Sequence, residues 1–277
     1  MPIKFEILMS TMFRENLDFL NPIFANNNID DFHIIIVNQT SKDKLLQSNN
    51  PKIKVINSFE KGSPASRNLA IRNATADVCL MADDDIVYKP NLKATIQKAY
   101  EEYPHADMIS FEAVDAKDNL YNAYGPAGKH DKKTLFKINT IIISFRRMAF
   151  KKNRIFFNHY FGVGSVFEGC TEYVFLMYAY SKNLNMLHVN KTIVSHPRIS
   201  SGMLMGSDNA FFAKTALRQR LLGNLSYIWL LKYTFYMWKN GYIEFNEIPG
   251  KFKLGLNGIE KYKALEKAGE IDKVYES

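Results

Sequence analysis

The sequence predicts an α/β protein: a mostly parallel sheet covered on both faces, followed by a C-terminal helical extension. Three observations carry this expectation. Short β-branched runs alternate with helix-length segments through the first half of the chain. One such run ends abruptly at Asp83-Asp84-Asp85, and parallel sheets hold their ligands at the carboxyl ends of strands. From about residue 211 the alternation gives way to long aromatic-rich segments of helical type.

The elements follow in order. Ile3 to Met9 is a short apolar run, and His33 to Val37 has the β-branched character of a strand buried on both faces. Ile53 to Ile56 supplies a third strand. Lys61-Gly62-Ser63-Pro64 announces a helix, with Ser63 as N-cap and Pro64 at the first helical position. Val78 to Ala82 returns to strand. A helix from Asn91 to Tyr103 and a strand from Met108 to Phe111 come next. Thr140 to Phe145 reads as a strand, Phe161 to Gly164 as a loop, Glu172 to Ser181 as a helix and Met186 to His196 as a strand. Asp208 is placed as the N-cap of the following helix, and Leu221 to Trp238 as one further helix. The division expected is a catalytic domain over 1–210, split near 115 into two halves, and an extension over 211–277.

Composition narrows the class. With 277 residues, 47% hydrophobic and 23% charged, the chain has enough apolar surface to fold. Two cysteines, Cys79 and Cys170, and no CxxC exclude a disulfide framework or zinc ribbon. Met1 to Met9 lacks the pattern of a signal peptide, and no stretch has the length of a simple membrane span. A cytoplasmic protein is therefore expected. The net charge of +8 is concentrated in Lys129 to Arg154, with nine Lys or Arg against Asp131 alone. Such a cluster attracts polyanions or is a solvated face. No nucleic-acid-binding motif accompanies it, so no nucleic-acid partner is expected.

The aspartates carry the sharpest chemistry. In an extended chain Asp83 and Asp85 share a side and Asp84 faces away. Like charges on one side repel unless a cation lies between them. Mg²⁺ or Mn²⁺ fits oxygen ligands and leaves positions for phosphates. A solvated acidic turn at the start of the next helix is the competing account.

The context is more specific. Residues 62–85 read GSPASRNLAIRNATADVCLMADDD. This resembles the nucleotide-binding half of glycosyltransferase family 2, in which a small-residue turn and an Arg-Asn-Xaa-Ala helix precede a strand ending in Asp-Xaa-Asp. The likeness covers roughly residues 3 to 200. It implies the GT-A fold, a Rossmann-like sandwich, and transfer of a sugar from a nucleotide-diphosphate donor, with a UDP-sugar the first choice. It also implies inversion at the anomeric carbon.

The resemblance assigns residues one by one. Ser10 and Thr11 end the first strand, which in the family lies against the nucleotide. Asn38 stands after the second strand, where the family usually has an acid that reads the base. Its amide has donors and an acceptor for that task. Arg67 falls where a basic residue lies near the nucleotide, although a plain pairing with a nearby carboxylate explains it equally well. Asp83 and Asp84 would serve the nucleotide, with Asp83, Asp85 and His196 at the metal. FGVGSVFEGCTEYVFL, residues 161–176, is similar to the acceptor-side motif. It places Glu172 on the family's catalytic aspartate, with Thr171 replacing the preceding glutamate and Glu168 the competing base.

The expected partners are a nucleotide-sugar donor and a glycan or lipid-linked acceptor of polysaccharide assembly. The segment Lys129 to Arg154 and the aromatic helix Leu221 to Trp238 both suit peripheral contact with the inner face of a plasma membrane. Core packing is the alternative for the helix. Two other functions compete: a catalytically inactive sugar- or lipid-binding homologue, and a nucleotidyltransferase that forms sugar nucleotides. The latter's glycine-rich basic loop is absent from Met1 to Asn28.

Overall fold

The computed structural model describes residues 3–196 and 206–274. Their strands form one twisted sheet. Its first part consists of β1 (Phe5–Met12), β2 (His33–Gln39), β3 (Ile53–Ser58) and β4 (Val78–Ala82) in the order β3-β2-β1-β4, all parallel. The sheet continues through β8 (Ile143–Arg146), β6 (Met108–Val114) and β9 (Met186–Ser195), then β5 (Val87–Tyr88). β6 and β9 are parallel, whereas β8 is antiparallel to both β4 and β6. β5 and β7 (Gly128–Lys129) pair antiparallel with β9. The long pairings are thus parallel, and short strands supply the antiparallel ones.

The β-branched runs behave as their composition dictates. Ile34 to Val37 and Ile7 to Met9 are buried on both faces, because helices cover the sheet on either side. Helix α1 (Leu20–Ile23) follows β1, α2 (Ser63–Asn73) follows β3, and α3 (Leu92–Glu102) follows β5. Helices α4 (Arg147–Lys152) and α5 (Thr171–Ser181) belong to the second part of the chain. The dominant core includes Phe145, Phe150, Phe157 and Phe175, with the last two rings stacked at 3.9 Å.

Several boundaries differ from the sequence reading. Gly62, not Ser63, caps α2, because the turn requires φ +122°, which glycine tolerates. Thr140 to Ile142 forms a 3₁₀ turn, so β8 starts only at Ile143. The buried β-branched side chains there fill the core without extending the ladder. Ser207 caps the helix α6 (Asp208–Leu222) by accepting from the Ala210 amide at 3.3 Å. Asp208 instead stands in the first turn and pairs with Lys251 at 2.7 Å. The expected single helix from Leu221 to Trp238 is broken: Gly223 to Leu225 forms a 3₁₀ turn between α6 and α7 (Ser226–Lys239).

Two arginines of the basic segment are engaged by backbone carbonyls. Arg146 donates to the carbonyls of Ala106 and Pro104, both at 3.0 Å, and Arg147 to that of Ala76 at 2.7 Å. These side chains tie β8 and α4 to neighbouring turns.

Helix α8 (Ile248–Lys267) packs against α6 and α7. Its Gly258 has no room for a side chain, since a Cβ there would lie 2.6 Å from the Phe212 carbonyl oxygen and against Thr215 Oγ1. Gly258→Ala is expected to destabilise the protein by about 1–3 kcal/mol through overpacking. A urea titration checks this: the midpoint falls while the slope stays constant. A second small core joins these helices to α5 and the loop before it, with Phe161, Phe167 and Val174 meeting Ala213, Ala216 and Tyr262.

Candidate active site

The parallel strands β1, β2 and β4 end on one side of the sheet. Ser10 to Met12, Asn38 and Gln39, and Asp83 to Asp85 are therefore gathered there. The β4 strand stops at Ala82 and the three aspartates lie in a bend. Strand alternation does not govern them; each meets a different partner.

Asp83 accepts from the Arg67 guanidinium at 2.9 Å. Asp84 accepts from Arg14 through Nε at 3.0 Å and Nη2 at 2.8 Å, and from the Thr11 hydroxyl. Asp85 meets His196 Nε2 at 3.2 Å and is half exposed. The hydrogen bond from His196 holds the Asp85 carboxyl below the usual range, against the opposing effect of burial. The His196 ring stands edge-on to Tyr121 at 5.6 Å.

Arg67 joins the two sides of the site. It is buried in the first turns of α2, with its guanidinium 5.5 Å from the centre of the Phe157 ring. While one arm holds Asp83, the other lies 3.7 Å from Glu172 Oε1. Burial works against its charge, but Asp83 and Glu172 outweigh that and raise its pKa further above the usual range. The neighbouring Asn68 exchanges two hydrogen bonds with the Phe157 backbone, at 2.8 and 2.7 Å. The Arg-Asn pair thus couples α2 to the second part of the chain.

Glu172 stands in the first turn of α5 and accepts from Thr140 Oγ1 at 2.6 Å. Glu168 is exposed and accepts from the side-chain amide of Asn209 in α6. Thr171 is buried and its hydroxyl lacks a partner among the described residues. The loop leading to α5 presses on the turn before α2, with the Ser63 amide donating to the Val163 carbonyl at 2.9 Å.

Asn38, the residue expected to read the base, stands near the end of β2. It is fully buried, and its side chain accepts from the Arg14 amide at 3.1 Å. Its own amide donates to the Arg14 carbonyl and to Asn57 Oδ1. Both amide hydrogens of its side chain are thus engaged within the protein. Ser10 Oγ, by contrast, is buried with no partner among the described residues.

Sequence reasoning passed over Arg14 and Thr140. Arg14 lies just past the carboxyl end of β1, where the fold concentrates ligand contacts, and that position was its only signal. Thr140 sits in a run that read as strand.

For a divalent cation, the donors that converge are Asp85 and His196. A carboxylate oxygen with an imidazole nitrogen suits Mn²⁺, and Asp85's exposure leaves room for phosphate oxygens. Asp83 is engaged by Arg67. Among the described residues no three His, Cys, Asp or Glu side chains cluster closely enough to hold a metal without further ligands.

The architecture is similar to that of solved S. aureus TarS structures. Residues 1–349 of TarS match with 14% identity and a TM-score of 0.56, covering 98% of this chain and 88% of that one. The complex of the same TarS piece with UDP-GlcNAc matches with 15% identity and a TM-score of 0.57, covering 98% and 89%. A longer TarS structure gives 16% identity and a TM-score of 0.54, with 95% of this chain spanning 50% of that one. At such identities the likeness is one of fold, here GT-A-like. No curated protein matches the sequence. The family model for glycosyl transferase family 2 matches residues 15–168. That segment is more than half of the sequence and contains the Arg67 turn and all three aspartates: the chain belongs to glycosyl transferase family 2.

Proposed function

We propose that this glycosyltransferase is a metal-dependent, inverting enzyme that moves a sugar from UDP to a hydroxyl of a glycan or lipid-linked acceptor in polysaccharide assembly. One observation carries the reading: Arg67 holds Asp83 at the strand end and lies beside Glu172 on the acceptor side. A donor bound at the strand ends thereby lies near a carboxylate carried by a different element. UDP as the nucleotide is supported by the fold shared with TarS, whose complex contains UDP-GlcNAc.

The roles follow from the chemistry. Ser10, Thr11 and Asp84 line the nucleotide side, where Arg14 adds positive charge, and Asp83 fixes Arg67. Asp85 and His196 would hold Mn²⁺ or Mg²⁺, which when bound neutralises diphosphate charge as a Lewis acid. Glu172 takes the proton from the acceptor hydroxyl as that oxygen attacks the anomeric carbon. The bond from that carbon to the diphosphate oxygen breaks on the opposite face, and its electron pair leaves with UDP. Thr140 fixes the orientation of Glu172 through its hydrogen bond. In this reading residues 1–210 make up the catalytic domain, with the donor half ending near 115, and 211–277 the helical extension.

The test is incubation with a panel of UDP-sugars and Mn²⁺, following UDP release and, for any product, the anomeric configuration by NMR. Slow metal-dependent UDP release with an inverted product is expected. Pyrophosphate exchange would assign a nucleotidyltransferase instead, and tight donor binding without turnover an inactive homologue.

A further inference from the structure

Helix α7 has two apolar faces, of which the fold uses one. Leu230, Thr234 and Met237 are buried towards α6 and α8, where Leu230 and Met237 join Phe211 and Ile259. On another face Ile228, Leu231, Phe235 and Trp238 are exposed, at 53%, 60%, 57% and 37%. Their spacing of three, four and three residues makes one continuous stripe. Leu225 extends it before the helix and Phe245 after it, the latter 73% exposed. Phe235, Trp238 and Phe245 form an edge-to-face chain with centroids 5.5 and 5.8 Å apart. Isolated exposed apolar side chains need no explanation, but a contiguous aromatic stripe marks an interaction surface.

The charges select what covers it. The exposed face of α7 also contains Lys232 and Lys239, and the helix contains no acid. A two-fold pairing of copies with the axis across the stripe would run antiparallel and set two helices that carry lysine and no acid against each other. A parallel pairing would offer them no acid either. The nearest acids in sequence, Glu244 and Glu247, lie beyond the helix and are tied into the cap before α8. Apolar and aromatic side chains beside unanswered lysines suit a surface that is apolar below and anionic above. No helix among the described residues is long and apolar enough to cross a membrane, which leaves a helix lying in the interface plane.

We infer that α7 docks in-plane on a bilayer containing anionic lipid, with Ile228, Leu231, Phe235 and Trp238 inserted and Lys232 and Lys239 at the headgroups. The helix supplies both the apolar and the charged part of the contact. The segment Lys129 to Arg154 is not part of this contact: its Arg146 and Arg147 are held against backbone carbonyls of neighbouring turns.

Co-sedimentation with phosphatidylcholine vesicles, with and without phosphatidylglycerol, tests this on the full chain. The wild type should sediment with the anionic vesicles and be weakened, not released, by high salt, since only the lysine part is screened. Leu231→Ser with Phe235→Ser should lower partitioning by about tenfold or more. Lys151→Gln with Lys152→Gln should leave it unchanged. As a second readout, Trp229→Phe leaves Trp238 as the sole tryptophan. Its emission should shift to the blue and be quenched by brominated lipid, as expected of a side chain about 5–10 Å into the headgroup boundary. A wild type that stays in the supernatant at low salt overturns the inference. So does an unquenched Trp238, or a dimer in solution that the double serine variant dissolves.

Discussion

Glu172→Gln is expected to lower sugar transfer by roughly 10² to 10⁴ while UDP binds as in the wild type. The substitution keeps the shape of the side chain and an oxygen that can accept from Thr140, but an amide offers no basic site for the acceptor proton. Binding should persist because, in the proposed reading, Ser10, Thr11, Arg14 and Asp84 meet the nucleotide and none of them belongs to α5. The measurement is a transfer assay beside calorimetric titration with UDP. Glu168→Gln is the control, and it should transfer at close to the normal rate, since Glu168 is exposed and bonded to Asn209. The opposite ranking would move the base four residues back into the loop.

Asp85→Asn should be nearly as damaging, with transfer lowered by about 10² to 10³, the range seen when one fixed electrostatic stabiliser is removed. It should also abolish the part of UDP affinity that depends on Mn²⁺. The paired observation is chelation: EDTA should silence the wild type and leave the residual activity of Asp85→Asn almost unaltered. Asp85 is half exposed and its removal opens no cavity, so the thermal midpoint should barely move. Full wild-type activity in EDTA would remove the metal from the mechanism and leave Arg14 and Arg67 as the cations that answer the diphosphate.

What could be read from the chain in advance depended on how local the cause was. Ile34 to Val37 declare a buried strand because β-branched residues in one short run suit few other settings. The turn at Gly62 and the acids after Ala82 are visible for the same reason: each is a local break in a pattern. Arg14 and Thr140 are not, because their importance comes from partners 70 and 32 residues away. Asn38 shows the limit of composition in the other direction. Its type was visible in advance, but its bonds to Arg14 and Asn57 were not, since they join residues 24 and 19 positions away. The break at Gly223 did have a local signal, a Gly-Asn pair of poor helix formers that takes φ +55° at the glycine, but it lay inside an apolar stretch and was passed over.

The seam between the turn at Gly62 and the loop from Phe161 constrains how this enzyme can be re-engineered. A Cβ at Gly162 would come within 2.8 Å of Ser63 Oγ and 2.9 Å of Pro64 Cγ, and one at Gly164 within 3.1 Å of the Gly62 Cα. The 62–64 turn and the 161–164 loop are therefore a closely matched pair. Residues 161–170 cannot be exchanged alone, because a foreign loop would collide with a turn shaped for a different neighbour. A workable chimera has to carry the 62–64 turn along with the loop, so the smallest exchangeable unit is discontinuous in sequence.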